Sequence, residues 1–291
     1  MKRVKQIITV LLSLCLMFVI MLICLLSSLP TFLMPKTYHE ALEQVNAYTL
    51  IQESIQNSLD DLLLINNISR DTLSEFVTVE EVKQVVSQDV DALLAWLNGT
   101  GPQLSALEMS PYEARFDERI ATFFRDNQYY LNDTEKQDVE VMKQSAMNMI
   151  RGNLRVLDFD VLTQTAPFTV IPKLIQLVDI NLIVMGLGII SVIISAILLI
   201  MSRRQITEAL LWIGNSILAG GLIIFTLFFS GIQSGFYKHI AIQVTYLRQA
   251  IGLLIEEWFT TLYRFGLIAI GIGVLLLLPY WIKAYKDCMR D

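Results

Sequence analysis

Asp133, Glu135, Asp138 and Glu140 form the densest group of chemically active side chains in this 291-residue sequence. Carboxylates so close together could receive a divalent cation, a cationic peptide or the basic surface of a partner protein. A calcium loop is not indicated, because the segment lacks the glycine that lets an acidic loop fold around the ion. The same four residues also suit a solvated acidic face that keeps a domain soluble. His39 and His239 are the only histidines. Neither has a cluster of cysteines or carboxylates beside it, and isolated imidazoles of this kind predict no metal site. No HExxH, G-x-S-x-G, phosphate-binding glycine loop or dinucleotide glycine pattern occurs. No apolar segment carries the acidic pair that an intramembrane aspartyl protease needs. These residues predict a protein that is not an enzyme and takes no cofactor or metal.

The elements that position these side chains are dominated by lipid-compatible sequence. Hydrophobic residues make up 54% of the chain and charged residues 17%, against roughly 25% charged in a typical soluble domain. Four blocks, Ile7–Leu33, Ile180–Met201, Ala209–Phe229 and Phe265–Ile282, contain no Asp, Glu, Lys or Arg. Each is long enough as a helix to cross about 30 Å of hydrocarbon. Lys2, Arg3 and Lys5 precede the first block, Arg203 and Arg204 separate the second from the third, and Lys283, Lys286 and Arg290 follow the fourth. Positive charge is retained on the cytoplasmic side, so both termini are expected there.

The expected fold class is therefore an all-α integral membrane protein, with four transmembrane helices and a helical extracytoplasmic domain between the first and second. The predicted layout is a cytoplasmic N-terminus (1–6), an uncleaved anchor as the first transmembrane helix (7–34) and the extracytoplasmic domain (35–179). A second span (180–201), a cytoplasmic turn (202–208) and a third span (209–229) follow. A second outer segment carrying an amphipathic helix (230–264), a fourth span (265–282) and a cytoplasmic C-terminus (283–291) complete the chain. A cleaved signal peptide is disfavoured at the start, since the apolar run far exceeds an ordinary h-region and no A-x-A site follows it.

Cys15, Cys24 and Cys288 are the only cysteines, so the outer domain has no disulfide to staple it. That absence points to a bacterial plasma membrane. The triplets at Asn67, Asn98 and Asn132 match the glycosylation pattern and are read as incidental turns and caps. Residues 35–175 hold 22 acidic and 11 basic side chains, a formal balance of −11. Such a surface repels nucleic acid.

Within the outer domain, helix starts are expected at Thr37/Glu40, Thr78/Glu81, Ser110–Pro111/Glu113 and Asn132/Glu135, each pairing a cap with a reciprocal carboxylate. Apolar faces follow them, first Ala41, Val45, Tyr48, Ile51, Ile55, Leu59 and Leu62. Val82, Val86, Val90, Leu93 and Leu97 form the next, then Phe116, Ile120, Phe123 and Phe124, then Val139, Met142, Ala146 and Met149. Stops are expected at Asn66–Asn67 and at 98–102, with a turn at 158–167. In the second outer segment Ile240, Val244, Leu247, Ile251, Leu254, Trp258 and Leu262 recur at four- and three-residue intervals, a coiled-coil-like stripe. The first and fourth spans are thus expected to continue outside as long helices that pack with each other or with the ectodomain, the alternative being an amphipathic helix lying on the outer lipid surface. The stripe from Ile240 to Trp258 and the four carboxylates are the candidate interaction residues.

Small residues at helical spacing, Ser191 with Ser195, Ser216 with Gly220 and Ala269 with Gly273, suit close helix approach inside the membrane. Asn181 and Asn215 are the polar side chains best placed to hydrogen-bond between spans. A span layout with a large first and a small second outer region is similar to the permease-like subunit of the bacterial cell-division ABC complex, in topology alone and without a shared motif. An ATPase partner needs a cytoplasmic coupling element, and 202–208 is short. The reading reached is a scaffold whose ectodomain binds a membrane or envelope protein partner or another copy of itself. The alternative is a subunit of a transporter, channel or permease-like complex, against which the lack of ionisable groups in the spans argues.

Overall fold

A computed structural model describes residues 2–32, 34–98, 107–155, 179–202, 206–242 and 244–289. No strand occurs among them. The helices are α1 (Lys2–Phe32), α2 (Pro35–Gln44), α3 (Ala47–Ile65), α4 (Val79–Leu97), α5 (Ser110–Asp126) and α6 (Asp133–Leu154), followed by α7 (Ile180–Met201), α8 (Ile206–Ser234) and α9 (Thr245–Cys288). Helices α1, α7, α8 and α9 are long and apolar enough to cross a membrane. The turn at 158–167, the charged pair Arg203–Arg204 and the stop after Asn98 lie outside the described residues.

The chain divides into two compact units, one of residues 1–37, 177–243 and 251–291, the other of 38–176 and 244–250. In the first unit α1 packs on both α7 and α8. Leu16 of α1 meets Ile194 and Leu198 of α7 and Ile213 of α8. Ser13 and Ser216 share a hydrogen bond of 2.6 Å between α1 and α8. A Cβ added to Gly220 would sit 3.2 Å from the Met17 carbonyl oxygen, so the Ser216/Gly220 pair lies where α1 comes closest. Helix α9 takes another face of α8. Added Cβ atoms on Gly266 and Gly273 would lie 2.7 Å from the backbone nitrogens of Phe225 and Leu218. Only glycine permits backbones to approach so nearly. Ser191, by contrast, bonds the Gly188 carbonyl of its own helix, and Cβ atoms added at Gly186 and Gly188 of α7 would meet no described atom within 4 Å.

Towards one end of this unit, Trp258 Nε1 donates 2.8 Å to Ser28 Oγ, and the rings of Phe228, Trp258 and Phe259 lie against one another. Tyr237, in the 3-10 turn Phe236–His239, is fully buried; burial and, second, the Glu256 carboxylate push its hydroxyl up to about 12.

The second unit is a bundle of α3, α4, α5 and α6 around a core that contains most of the expected apolar faces, with Leu94 in the place expected for Leu93. Two starts match the sequence reading. Thr78 with Glu81 and Asn132 with Glu135 each form a reciprocal capping box. The other two differ. Helix α5 is capped at Met109, with Ser110 already inside and its hydroxyl turned to the Glu108 carboxylate. Thr37 lies within α2 and donates instead to the Thr31 carbonyl, 3.1 Å away.

The expectation that the first span continues as one long helix is corrected. α1 ends at Phe32 and α2 starts at Pro35, a residue with no N–H for the ladder and a ring that turns its predecessor away from helical angles. Asn46, at φ 52, then separates α2 from α3 in a left-handed step. The fourth apolar block does belong to a longer helix, since α9 begins at Thr245, well before Phe265.

Asp89 of α4 is 8% exposed and its Oδ2 has no hydrogen-bond partner among the described residues. Burial pushes its carboxyl upward, with Arg155 pulling the other way. A raised carboxyl favours the folded state only while protonated, so its stabilising effect is full at low pH and lost as pH rises through the folded value. Asp89→Asn is therefore expected to raise the thermal midpoint of the full-length protein by a few degrees near neutral pH. That gain should vanish below the ordinary aspartate value of 3.8, as a melting series across pH would show.

Candidate interaction site

The four carboxylates on α6 do not act as one group. Residues on a helix share a face at spacings of three, four and seven, so Asp133 and Glu140 lie on one side and Glu135 and Asp138 on another. Asp133 pairs with Lys136 at 2.9 Å and Glu140 with Lys143 at 2.8 Å, and Lys143 also reaches Asp117 on α5. That face is a row of alternating charge, in which the exposed Asp133–Lys136 pair contributes little while Lys143 is half-buried between its two carboxylates.

Glu135 has a structural task. One oxygen accepts the Asn132 N–H at 2.8 Å, closing the capping box, and the other accepts the Tyr129 hydroxyl. These bonds, the tyrosine first, hold the Glu135 carboxyl below the usual range, and the same contact pushes the Tyr129 hydroxyl up. The loop between α5 and α6 is thereby clamped at both ends. At its start Gln128 adopts a left-handed φ of 53, while Tyr129 N–H returns to the Phe124 carbonyl at 2.9 Å. This is a helix-terminating turn that satisfies the last carbonyls of α5. Tyr130, next in line, is 93% exposed.

Glu135 and Asp138 border a cleft of about 450 Å³ between the end of α3 and the α5–α6 corner. Its floor is apolar, with Ile68, Phe123, Phe124, Val139 and Met142, and its rim is polar, with Asn66, Asn67 and Asn127 beside the two carboxylates. Phe124 packs against both Phe123 and Tyr129, with ring centres 5.4 and 5.8 Å apart. Asn67 turns the far wall through a left-handed φ of 56, and Ile68 N–H closes back on the Leu63 carbonyl at 2.9 Å. Asp138 is exposed. An apolar floor with a carbonyl and carboxylate rim accepts apolar side chains while favouring a positive charge at one edge.

The sequence reading missed this cleft. Asn66–Asn67 is a helix stop and Phe123–Phe124 packs on the core, as their local spacing implies, but their meeting with α6 is long-range. The stripe is only partly one surface. Ile240 follows a 3-10 turn and Val244 is exposed just before α9. On α9 itself Leu247 and Ile251 are half-buried, Leu254 is buried and Trp258 is held by Ser28. Ala250 and Tyr246 carry the packing of the first turns instead, in the core of the second unit. His39 Nε2 lies 2.9 Å from Asp91, and His239 is exposed. Among the described residues no group of three or more His, Cys, Asp or Glu is placed to hold a metal ion. No protein family, curated protein or solved structure matches this chain.

Proposed function

We propose that this chain is a non-enzymatic multi-pass protein of a bacterial plasma membrane whose helical domain holds a segment of an envelope partner protein at the outer face, with both termini cytoplasmic. The observation that carries this reading is the cleft at the α5–α6 corner. It combines an apolar floor with Glu135 and Asp138 on its rim, in a region of the sequence with a formal balance of −11. The segment it fits is apolar with a lysine or arginine at one side, reaching Asp138, which has no ion pair among the described residues, rather than the committed Glu135. The orientation rests on Lys2, Arg3 and Lys5 before α1 and Lys283 and Lys286 late in α9.

The test is photo-crosslinking in intact cells from Asn67, Tyr130 and Asp138, all exposed at or beside the cleft, with exposed Glu53 as the control. One recurring protein captured from the three positions and not from Glu53 is expected. Asp138→Lys should lower that capture several-fold through like-charge contact. Capture that is uniform across all four positions, or of an ATP-hydrolysing subunit alone, would overturn the cleft reading, the latter in favour of a transporter subunit.

A further inference from the structure

Residues 209–229 of α8 include one carboxamide and two hydroxyl side chains, and two of the three are satisfied within the protein. Ser216 donates 2.8 Å to the Trp212 carbonyl and is bonded to Ser13, while Thr226 donates 2.7 Å to the Leu222 carbonyl. The third, Asn215, is exposed and has no hydrogen-bond partner among the described residues. It lies six residues beyond Ala209 in the apolar block, about 9 Å along the helix axis at 1.5 Å per residue. That depth is beyond the reach of a short side chain to water. A carboxamide offers two donors and a two-lone-pair acceptor, and leaving it unpaired in hydrocarbon is costly.

The row that contains Asn215 continues through Ala219, Leu222, Thr226 and Phe229, alternating steps of four and three. This is the a/d spacing along which two helices run side by side. From Asn215 to Thr226 it is not a face that α1 or α9 uses. α1 packs at Ser216 and Gly220, and α9 packs at Gly214, Leu218 and Gly221 and, at the far end of the row, sets Tyr263 against Phe229, whereas Asn215, Leu222 and Thr226 are exposed. Ala219 is small enough to let a neighbouring backbone approach just above the carboxamide.

We propose that α8 pairs in the bilayer with α8 of a second copy of this chain, with Asn215 hydrogen-bonded to Asn215 of that copy. The occupant follows from the chemistry. Asparagine is donor and acceptor at once, so two copies related by a two-fold axis satisfy each other with no further residue. A single asparagine in an a/d row also fixes the register and selects a pair. The inference rests on α8 spanning a membrane and not on the cleft.

The test uses the full chain in native membranes, with Cys15 and Cys288 changed to Ser, Cys24 changed to Ala, and one new cysteine at Leu222. Oxidation should give a disulfide-linked dimer for Leu222→Cys and none for Val192→Cys, which is exposed on α7. Adding Asn215→Leu should reduce the dimer yield roughly tenfold, and Asn215→Gln should restore part of it. Absence of the Leu222→Cys dimer, a yield unchanged by Asn215→Leu, or linkage only to a different protein would each overturn the proposal. Photo-crosslinking from Tyr130 reads the cleft independently, so the two readings fail separately.

Discussion

Gly266→Leu is expected to lower the thermal midpoint of the full-length protein sharply and to loosen α9 from α8, whereas Gly271→Leu on the same helix should leave both nearly unchanged. At Gly266 an added Cβ meets the Phe225 nitrogen at 2.7 Å and the Gly221 carbonyl oxygen at 3.0 Å, and at Gly271 no described residue lies within 4 Å. The obstacles at Gly266 are backbone atoms that cannot rotate aside, so the two helices must part. Parting them also loosens the neighbouring contacts of Gly221 with Ala269 and of Gly273 with Leu218. The cost is expected to reach about 3 kcal/mol, the upper end for overpacking a tight site. Melting of the two variants in the same detergent, with the helix-to-helix contact followed by a cysteine pair, checks this. Equal losses at the two glycines would show that chain hydrophobicity, not close approach, sets the stability of the apolar helices.

Phe116→Ala should cost the other unit about as much as any single side-chain truncation can, roughly 3–5 kcal/mol. Phe116 has no exposed surface, and its ring stands edge-on to Phe76, 6.5 Å away at 82°. Around that pair Arg115 donates to the Phe76 carbonyl and to both oxygens of Glu81, which also caps α4. Removing the ring therefore empties a site and slackens the guanidinium clamp that ties the segment before α4 to α5. A domain of this size has about 5–15 kcal/mol in total, so cleavage of the full chain by added protease should accelerate by two orders of magnitude or more. Tyr130→Ala, at a 93% exposed position, should leave the rate unchanged. A Phe116→Ala protein as resistant as the parent would mean that the core does not close around α5.

Local signals were legible wherever the physics is local. A capping box needs only two residues three apart, and Thr78/Glu81 and Asn132/Glu135 form as spaced. Ser110–Pro111–Glu113 has the same look, yet the serine hydroxyl found the Glu108 carboxylate and the helix began one residue sooner. Thr37–Glu40 was misleading because Pro35 had already started the helix. The apolar helices were plain because a bilayer tolerates no charge along a whole block, while their ends, at Ile206 and Ser234 for α8, were not, since a helix need not stop where the hydrocarbon does. The cleft was invisible because it joins 66–68, 123–131 and 135–142, and no periodicity in one segment reports on another. Asn215 stands out in the sequence as a polar residue in a span, but that no neighbour within the chain meets it is visible only once α1 and α9 have taken their faces of α8.

Ser54 on α3 donates 3.0 Å to Asn153 on α6, across 99 residues of sequence, and these two helices pack directly. No cysteine lies between them. During synthesis at about 5–20 residues per second, α3 therefore waits roughly 5–20 s before its partner exists. Throughout that interval α3 can pack on the Arg70–Leu73 turn and on α4 but not on α6, and no covalent bridge can shorten the search once α6 emerges. Contacts so distant in sequence slow the folding of a helical protein. The nascent chain consequently passes through a period in which the side of α3 that meets α6 stays uncovered, the condition in which unfinished chains aggregate.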